Sequence, residues 1–471
     1  FVMPKLSAAN VKSGTDGTLA AGSGDTVFSG VSIDTRTLSA GAVFFAIRGP
    51  NQDGHRFVPN AISKGASGIV VEKAYEYPGK FPAGTVLIKV EDTHLALKSL
   101  ARSMRHLWHG TLVAITGSMG KTTTREFMAQ VLQNEFRVYR TPGNYNNLFG
   151  LPLALLGLSP DFDIGIFEMG MSAPGEIAEM CRIAEPVVGI LTNVAPVHLA
   201  FFDSLEQIAR AKEELAESLP SDGTLIYNVD DPFVREIARR YPGRKIAFGI
   251  SDFADVRAGE IEIVSLERTR FQLSCGGNVR PADIPFAGSH YVMNALPAIA
   301  LGWQYNIALA QITESLRGLH QVDMRGRILH FKEGFTVIDD SYNSNPRALM
   351  QMIEVLCGVP SFTRRILAAG EMLELGTNTD TLHFQCGAFA ADHGLDMVIG
   401  IQGAAREVVR GAVESGIPES RVRLFPDAGS AADFIAGIVC SGDLLLVKGS
   451  RGVHTEKIVH RLRSRFEFLS T

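Results

Sequence analysis

L-V-A-I-T-G-S-M-G-K-T-T-T, residues 112–124, runs from a continuous apolar stretch into a glycine turn, then a lysine and three hydroxyls. An apolar run bounded by glycine reads as a buried strand, and a helix is expected to follow the lysine. Glycine at 117 and 120 lets backbone N–H groups face a ligand without interference from a Cβ, which makes the turn a phosphate cradle. Lys121 can reach terminal phosphates and Thr122 can offer its hydroxyl to Mg²⁺, with Ser118, Met119 and Thr123 completing the loop. The expected ligand is a magnesium nucleoside triphosphate. Ile115 stands where the full Walker pattern has its first glycine, so the turn is the shorter G-x-x-G-K-T form.

Working outward, three blocks emerge. The first, residues 1–109, contains short strands at 42–47, 68–71 and 86–90 and ends in a helix whose Leu97, Leu100, Ala101, Met104 and Trp108 share one face. The second, residues 110–324, alternates strands at 113–116, 164–168, 187–194, 224–228 and 245–249 with helices, the pattern of a doubly wound, mostly parallel sheet. Asp231-Pro232 marks a helix start, a capping carboxylate followed by a proline in the first turn. A more polar β-rich stretch at 256–275 and helices at 291–303 and 308–316 finish the block. The third, residues 325–471, alternates again, with strands at 337–340, 366–369, 397–401, 422–425 and 444–448. It reads as a Rossmann-like domain, although no G-x-G-x-x-G follows any of its strands, which argues against a dinucleotide site. The expected fold class is α/β in three domains: a smaller N-terminal α/β domain, a central P-loop domain and the Rossmann-like C-terminal domain.

Composition narrows the function. With 471 residues, 46% of them hydrophobic and 20% charged, the chain can bury several cores. A net charge of −5 gives no general attraction to nucleic acid or an anionic membrane, so an anionic ligand must be held by local cations, metal and backbone amides. The five cysteines are scattered and never spaced C-x-x-C, which indicates neither a disulfide framework nor a zinc site and suits a reducing compartment. The opening F-V-M-P-K-L-S lacks a basic and then apolar leader, and no apolar run approaches spanning length, so neither membrane insertion nor export is expected and the location is the cytoplasm.

Chemistry should gather where sheet strands end. Glu168 closes I-G-I-F-E, the usual place of a second acidic ligand for loop-bound magnesium, though a strand-end glutamate is also a common structural residue. T-N-V-A-P-V-H puts Asn193 and His198 beyond another strand. S-L-E-Q at 204–207 is a capping box for a helix that carries Lys212 about two turns in, where an exposed lysine is the plain alternative. In the third block, I-D-D-S-Y-N-S-N-P and K-G-S-R at 448–451 follow strands, each a simple turn or an anion-holding one.

Taken together these strings resemble the Mur ligase family of ATP-dependent amide-forming enzymes of bacterial cell-wall synthesis. The resemblance spans nearly the whole chain: T-G-S-M-G-K-T-T-T at 116–124, N-Y-N-N-L-F-G-L-P at 144–152, E-M-G at 168–170, T-N-V-A-P-V-H at 192–198, A-K-E-E at 211–214, Y-N-V-D-D at 227–231 and G-S-H-Y-V-M-N-A at 288–295. Within the family, D-D-S-Y-N-S-N-P at 339–346, G-E-M-L-E-L-G at 370–376, S-I-D-T-R at 32–36 and D-G-H-R-F at 53–57 look like the member that adds D-alanyl-D-alanine to UDP-N-acetylmuramoyl-tripeptide. Ser344, Arg347-Ala348 and Glu213 depart from the usual pattern and touch only fine substrate contacts.

The resemblance implies roles residue by residue. Lys121, Glu168, His198 and a carbamylated Lys212 are implied as catalytic, and Thr122, Glu168, His198 and the Lys212 carbamate as ligands of two Mg²⁺ ions. Histidine is an uncommon magnesium ligand, so that assignment belongs to the resemblance alone. Gly117 through Thr123, with Asn294, Arg327, Asp340 and Asn343, are implied to bind ATP; Asp34, Thr35, Arg36, Asn144 and Asn147 to bind the UDP-linked substrate. The implied partners are the UDP-muramoyl-tripeptide and D-alanyl-D-alanine, acted on by a monomer. Two other readings stand beside this one. A folylpolyglutamate synthetase shares the chemistry but usually begins near the P-loop strand, and a nucleotide switch needs the cradle without Glu168, His198 and Lys212.

Overall fold

The computed structural model describes residues 6–49, 52–78, 80–196, 202, 204–320 and 323–469. The chain forms two compact units, one made of Phe1–Thr116, Glu135–Gly189 and Ala211–Thr224, the other of Gly117–Asn134, Ile190–Arg210 and Leu225–Thr471.

In the first unit, five strands lie in the order Thr18–Ala21, Val86–Val90, Gly68–Glu72, Val43–Phe45, Val31–Ser32, parallel except for the antiparallel edge strand Thr18–Ala21. One face is covered by the helix Thr93–Leu107, which starts where the Asp92 carboxylate accepts the N–H groups of His94 and Leu95. Its stripe of Leu97, Leu100, Ala101 and Met104 is buried as the spacing predicts. Trp108 lies just past its end, also buried, and its indole Nε1 donates to Phe162 O at 3.0 Å. The other face is closed by Val58 and Ala61 of the helix Val58–Ser63.

A nine-stranded sheet runs in the order Asn278–Ile284, Arg268–Cys275, Val256–Ser265, Arg244–Gly249, Thr224–Asn228, Val188–Leu191, Thr111–Thr116, Ile164–Glu168, Val138–Arg140. Thr111–Thr116 and Ile164–Glu168 pair in parallel, and the latter is buried at every residue because both of its faces are covered. The β-rich stretch expected at 256–275 is two strands, and a third, Asn278–Ile284, continues them as an antiparallel meander that makes the sheet mixed. Arg268–Cys275 alternates buried with exposed residues, the mark of a half-solvated antiparallel strand. The strand expected over 187–194 stops at Leu191, and residues 192–195 leave the ladder for other partners.

The C-terminal sheet has seven strands, in the order Val422–Phe425, Met397–Ile401, Arg364–Gly370, Asp443–Lys448, Thr336–Asp340, Arg327–Phe331, Phe468–Leu469. The first five are parallel and the last two antiparallel to their neighbours. Side chains along Asp443–Lys448 alternate between two cores: Leu444 and Leu446 face the helices Pro346–Gly358, Thr379–Asp392 and Ala405–Glu414, while Leu445 and Val447 face Ala428–Ile438 and Glu456–Arg465. The helices following neighbouring strands 364–370 and 443–448 therefore sit on opposite faces of the sheet.

Candidate functional site

The glycine loop is built as its composition requires. Gly120 has φ +81° and caps the helix Lys121–Leu132. A Cβ there would lie 2.2 Å from Asn294 Oδ1, and one at Gly117 would lie 1.8 Å from Thr192 Oγ1, so each glycine admits a polar side chain to the loop backbone. Asn294, on the helix Ser289–Gln304, is thus brought over the glycine loop. Lys121 Nζ donates to Gly117 O at 2.7 Å, folding the cation over the turn.

Sequence reasoning missed what holds this loop. The Ser118 N–H donates to Asn193 O and the Met119 N–H to Asn193 Oδ1, both at 2.9 Å. Met119 O accepts from Thr192 Oγ1 and Asn193 Nδ2, and Ser118 Oγ exchanges hydrogen bonds with the N–H and carbonyl of Ala195. The first half of the loop is thereby spent on residues 192–195. The signal was present in T-N-V-A, a polar pair directly after a buried strand.

Glu168 is 3% exposed at the end of its strand. Its Oε1 accepts from Asn146 Nδ2 at 2.9 Å, its N–H donates to Thr141 Oγ1, and Asn146 O accepts the Gly170 N–H. Asn146, the middle asparagine of the N-Y-N-N string, was not singled out by sequence. Of the two that were, Asn144 is exposed, and Asn147 Oδ1 accepts the Phe149 and Gly150 N–H groups at the start of the helix Gly150–Leu155. At the expected capping box, Gln207 N–H donates to Ser204 Oγ at 3.3 Å at the start of the helix Leu205–Ser218. On that helix Lys212 and Glu213 are both 3% exposed, which removes the reading of Lys212 as a surface lysine. Glu214 beside them turns to the N-terminus of the helix Glu176–Ala184 and accepts from the Gly175 and Ala178 N–H groups. His198 lies outside the described residues. Among the described residues no group of three His, Cys, Asp or Glu side chains is placed to hold a metal.

In the C-terminal sheet, Asp340 pairs with buried Lys448, whose Nζ also donates to Asn343 O at 3.0 Å. The D-D-S-Y-N and K-G-S-R strings thus meet at one strand end. Burial holds Asp339 above the usual carboxylate range, against the pull of bonds from Ser341. Asn343 Oδ1 accepts the Ser344 N–H, while Arg327 pairs with Asp323 at the surface. The loops after strands 364–370 and 443–448 are tied together, Leu373 N–H donating to Ser450 Oγ and Ser450 N–H to Glu371 O, while Met372 N–H donates to His383 Nε2 on the helix Thr379–Asp392 at 2.9 Å.

In the first block, Arg36 grips Asp34 through Nε, Nη2 and the backbone N–H, which holds the Asp34 carboxyl below its ordinary value, and Lys64 Nζ donates to Thr35 O. D-G-H-R-F proves to be a fold device. Buried His55 donates from Nδ1 to Asp53 and accepts the Glu72 N–H at Nε2.

Comparison with known proteins agrees along the length of the chain. The Mur ligase family catalytic domain matches residues 27–105, the Mur ligase middle domain 115–302, and the Mur ligase glutamate ligase domain 324–451. The UDP-N-acetylmuramoyl-tripeptide–D-alanyl-D-alanine ligase of Bacillus subtilis is 33% identical over 461 residues, covering 98% of this chain and 99% of the relative. Among solved structures, MurF from Acinetobacter baumannii matches with a TM-score of 0.85 at 27% identity, over 98% of this chain and 100% of that one. MurF ligase from Thermotoga maritima, solved in complex with ADP, matches with a TM-score of 0.80 at 27% identity, over 93% and 97%. With three consecutive segments matched and likeness extending over 98% of its residues, this chain belongs to the Mur ligase family.

Proposed function

We propose that this protein joins D-alanyl-D-alanine to UDP-N-acetylmuramoyl-tripeptide at the expense of ATP, in peptidoglycan precursor synthesis. The carrying observation is the likeness, N-terminal block included, to ligases of that specificity over 98% of the chain. A folylpolyglutamate synthetase gives no reason for the matched segment 27–105 ahead of the loop strand.

The chemistry sets the task. A carboxylate cannot expel oxide, so the tripeptide's terminal carboxylate oxygen attacks the γ-phosphorus of ATP and ADP leaves. The amine of D-alanyl-D-alanine then attacks the acyl carbon, loses a proton, and phosphate departs as the amide forms. Lys121 and the loop amides neutralise and align anions that repel one another. Thr122 and Glu168 would supply the hydroxyl and carboxylate oxygens that Mg²⁺ prefers, and His198 and Lys212 would hold a second ion; the metal would spread the charge on the transferring phosphoryl group. The buried Lys212 is expected to act as a carbamate, since a bare ammonium would repel the metal it serves. Asn294, Arg327, Asp340 and Asn343 bind the nucleotide; Asp34, Thr35, Arg36, Asn144 and Asn147 bind the UDP-linked substrate. The domains are 1–109, 110–324 and 325–471, the second a P-loop domain and the third Rossmann-like. Among the described residues no helix is long and apolar enough to cross a membrane.

Phosphate release, with ATP, Mg²⁺, UDP-muramoyl-tripeptide and D-alanyl-D-alanine omitted in turn, tests the reading, and all four are expected to be required. Lys121→Ala should abolish turnover and leave calorimetric binding of the UDP-linked substrate intact. Equal loss of both removes Lys121 from the phosphate site.

A further inference from the structure

The Y-N-V-D-D string at 227–231 lies far in sequence from the glycine loop, and its asparagine and second aspartate both converge on the segment that holds the loop. The strand Val188–Leu191 ends, and residues 192–195 continue without a ladder. Their backbone groups must find other partners, because buried amides and carbonyls are seldom left unpaired. Two are supplied from one place. Asn228 Nδ2 donates to Thr192 O at 2.9 Å, and Asp231 Oδ2 accepts the Val194 N–H at 2.9 Å. The other oxygen of the same carboxylate, Asp231 Oδ1, accepts the Phe233 and Val234 N–H groups and so starts the helix Pro232–Arg240. Asp231 therefore fixes 192–195 to a helix N-terminus, and 192–195 in turn holds Ser118 and Met119 of the loop by the bonds described above. The neighbouring Asp230 serves a different segment, accepting the Ile250 and Ser251 N–H groups.

We propose that Asp231, assisted by Asn228, is a positioning residue for the nucleotide loop, acting through residues 192–195. The proposal rests on the reading of the loop as the ATP site. A glycine turn with two positive-φ residues has little shape of its own, since glycine populates both signs of φ. What fixes Ser118 and Met119, and with them the direction of the amides that follow at 120–122, is this external brace.

Two variants separate the brace from the helix cap. Asp231→Ser keeps a hydroxyl for the cap and removes the acceptor for Val194; Asp231→Asn keeps the cap oxygen and turns an N–H₂ donor toward the Val194 N–H. Both are expected to raise the Kd for Mg-ADP and the KM for ATP about tenfold, the loss expected when a charged acceptor is removed from a buried N–H. In both, kcat at saturating ATP and the Kd for UDP-muramoyl-tripeptide should stay within about twofold. Asn228→Ala, which leaves the helix cap in place, removes the bond to Thr192 O and also the acceptor of the Asp230 N–H; loss of the first should weaken Mg-ADP roughly threefold to fivefold, and the variant serves as the readout if the Asp231 variants fold poorly. Wild-type Mg-ADP affinity in these variants, with only a lowered Tm, would reduce Asp231 to a helix cap and overturn the proposal. Failure of the unmodified protein to bind Mg-ADP would instead refute the ATP-site reading.

Discussion

Replacing Gly120 by alanine tests the cradle at the point where its geometry is least forgiving. The new Cβ would stand 2.2 Å from Asn294 Oδ1 and 3.2 Å from Asn294 Cγ. An ordinary carbon–oxygen contact is about 3.3 Å, so the carboxamide must withdraw by roughly 1 Å. The backbone adds its own cost, since φ there is +81° and an L-residue in the left-handed region loses about 1–2 kcal/mol relative to glycine. If the loop must hold that conformation to bind phosphate, the backbone term alone weakens Mg-nucleotide binding roughly 5–30-fold. On the proposed contact of Asn294 with the nucleotide, Asn294→Ala by itself should cost about 1 kcal/mol of binding, roughly fivefold. Because Gly120→Ala has already driven Asn294 off, the double variant should bind Mg-ADP no more weakly than Gly120→Ala alone. Isothermal calorimetry on the four proteins gives the cycle. A double variant whose loss equals the product of the two single losses would mean that Asn294 does not lie over Gly120, and would refute the geometry.

Lys212→Ala should be nearly inactive and partly rescued by short carboxylic acids; rescue by amines would favour an ordinary salt bridge, and density for a bare ammonium in a magnesium-nucleotide complex would end the carbamate reading. Asp443, whose side chain is 2% exposed, ion-pairs with Arg364 and accepts the Cys440 N–H. Asp443→Ala leaves a partly buried guanidinium uncompensated, so the C-terminal block should lose stability toward the lower end of about 3–5 kcal/mol, read by chemical denaturation; an unchanged midpoint would contradict it. His383 is buried, donates from Nδ1 to Thr379 O and accepts the Met372 N–H at Nε2; burial holds its pKa below the ordinary value, against the opposing pull of Glu371, Asp380 and Glu407. The unfolded chain then binds the proton first, so stability must fall as pH drops below about 6.5, with a slope of at most ~1.4 kcal/mol per pH unit. His383→Gln should flatten that part of the stability–pH curve, and an equal slope in both proteins would count against it.

Much of this molecule was readable from local pattern because the causes are local. Ile164–Glu168, Thr224–Asn228, Met397–Ile401 and Val422–Phe425 fall where the apolar runs put them, and the helix after Asp231-Pro232 begins where a capping carboxylate and a first-turn proline must begin one. The same holds for Gly117 and Gly120, whose positive φ follows from a strand turning tightly into a helix. Tertiary structure decided the matters that depend on which distant backbone group lacks a partner. No periodicity distinguishes the Lys212 of this buried helix face from a lysine facing water; the neighbours that cover it make the difference. Asn146, not Asn144 or Asn147, turned to Glu168 because Asn147 was needed at a helix start. Residues 192–194 read from pattern as the tail of a strand, yet 192–195 leave the sheet and bind the glycine loop, while Asp231, legible only as a cap, gives its second oxygen to Val194. Sequence displays a side chain's chemistry and its local spacing. The unpaired amide that claims its remaining lone pair is set by the fold, since buried polar groups are satisfied by whatever the packing brings within reach.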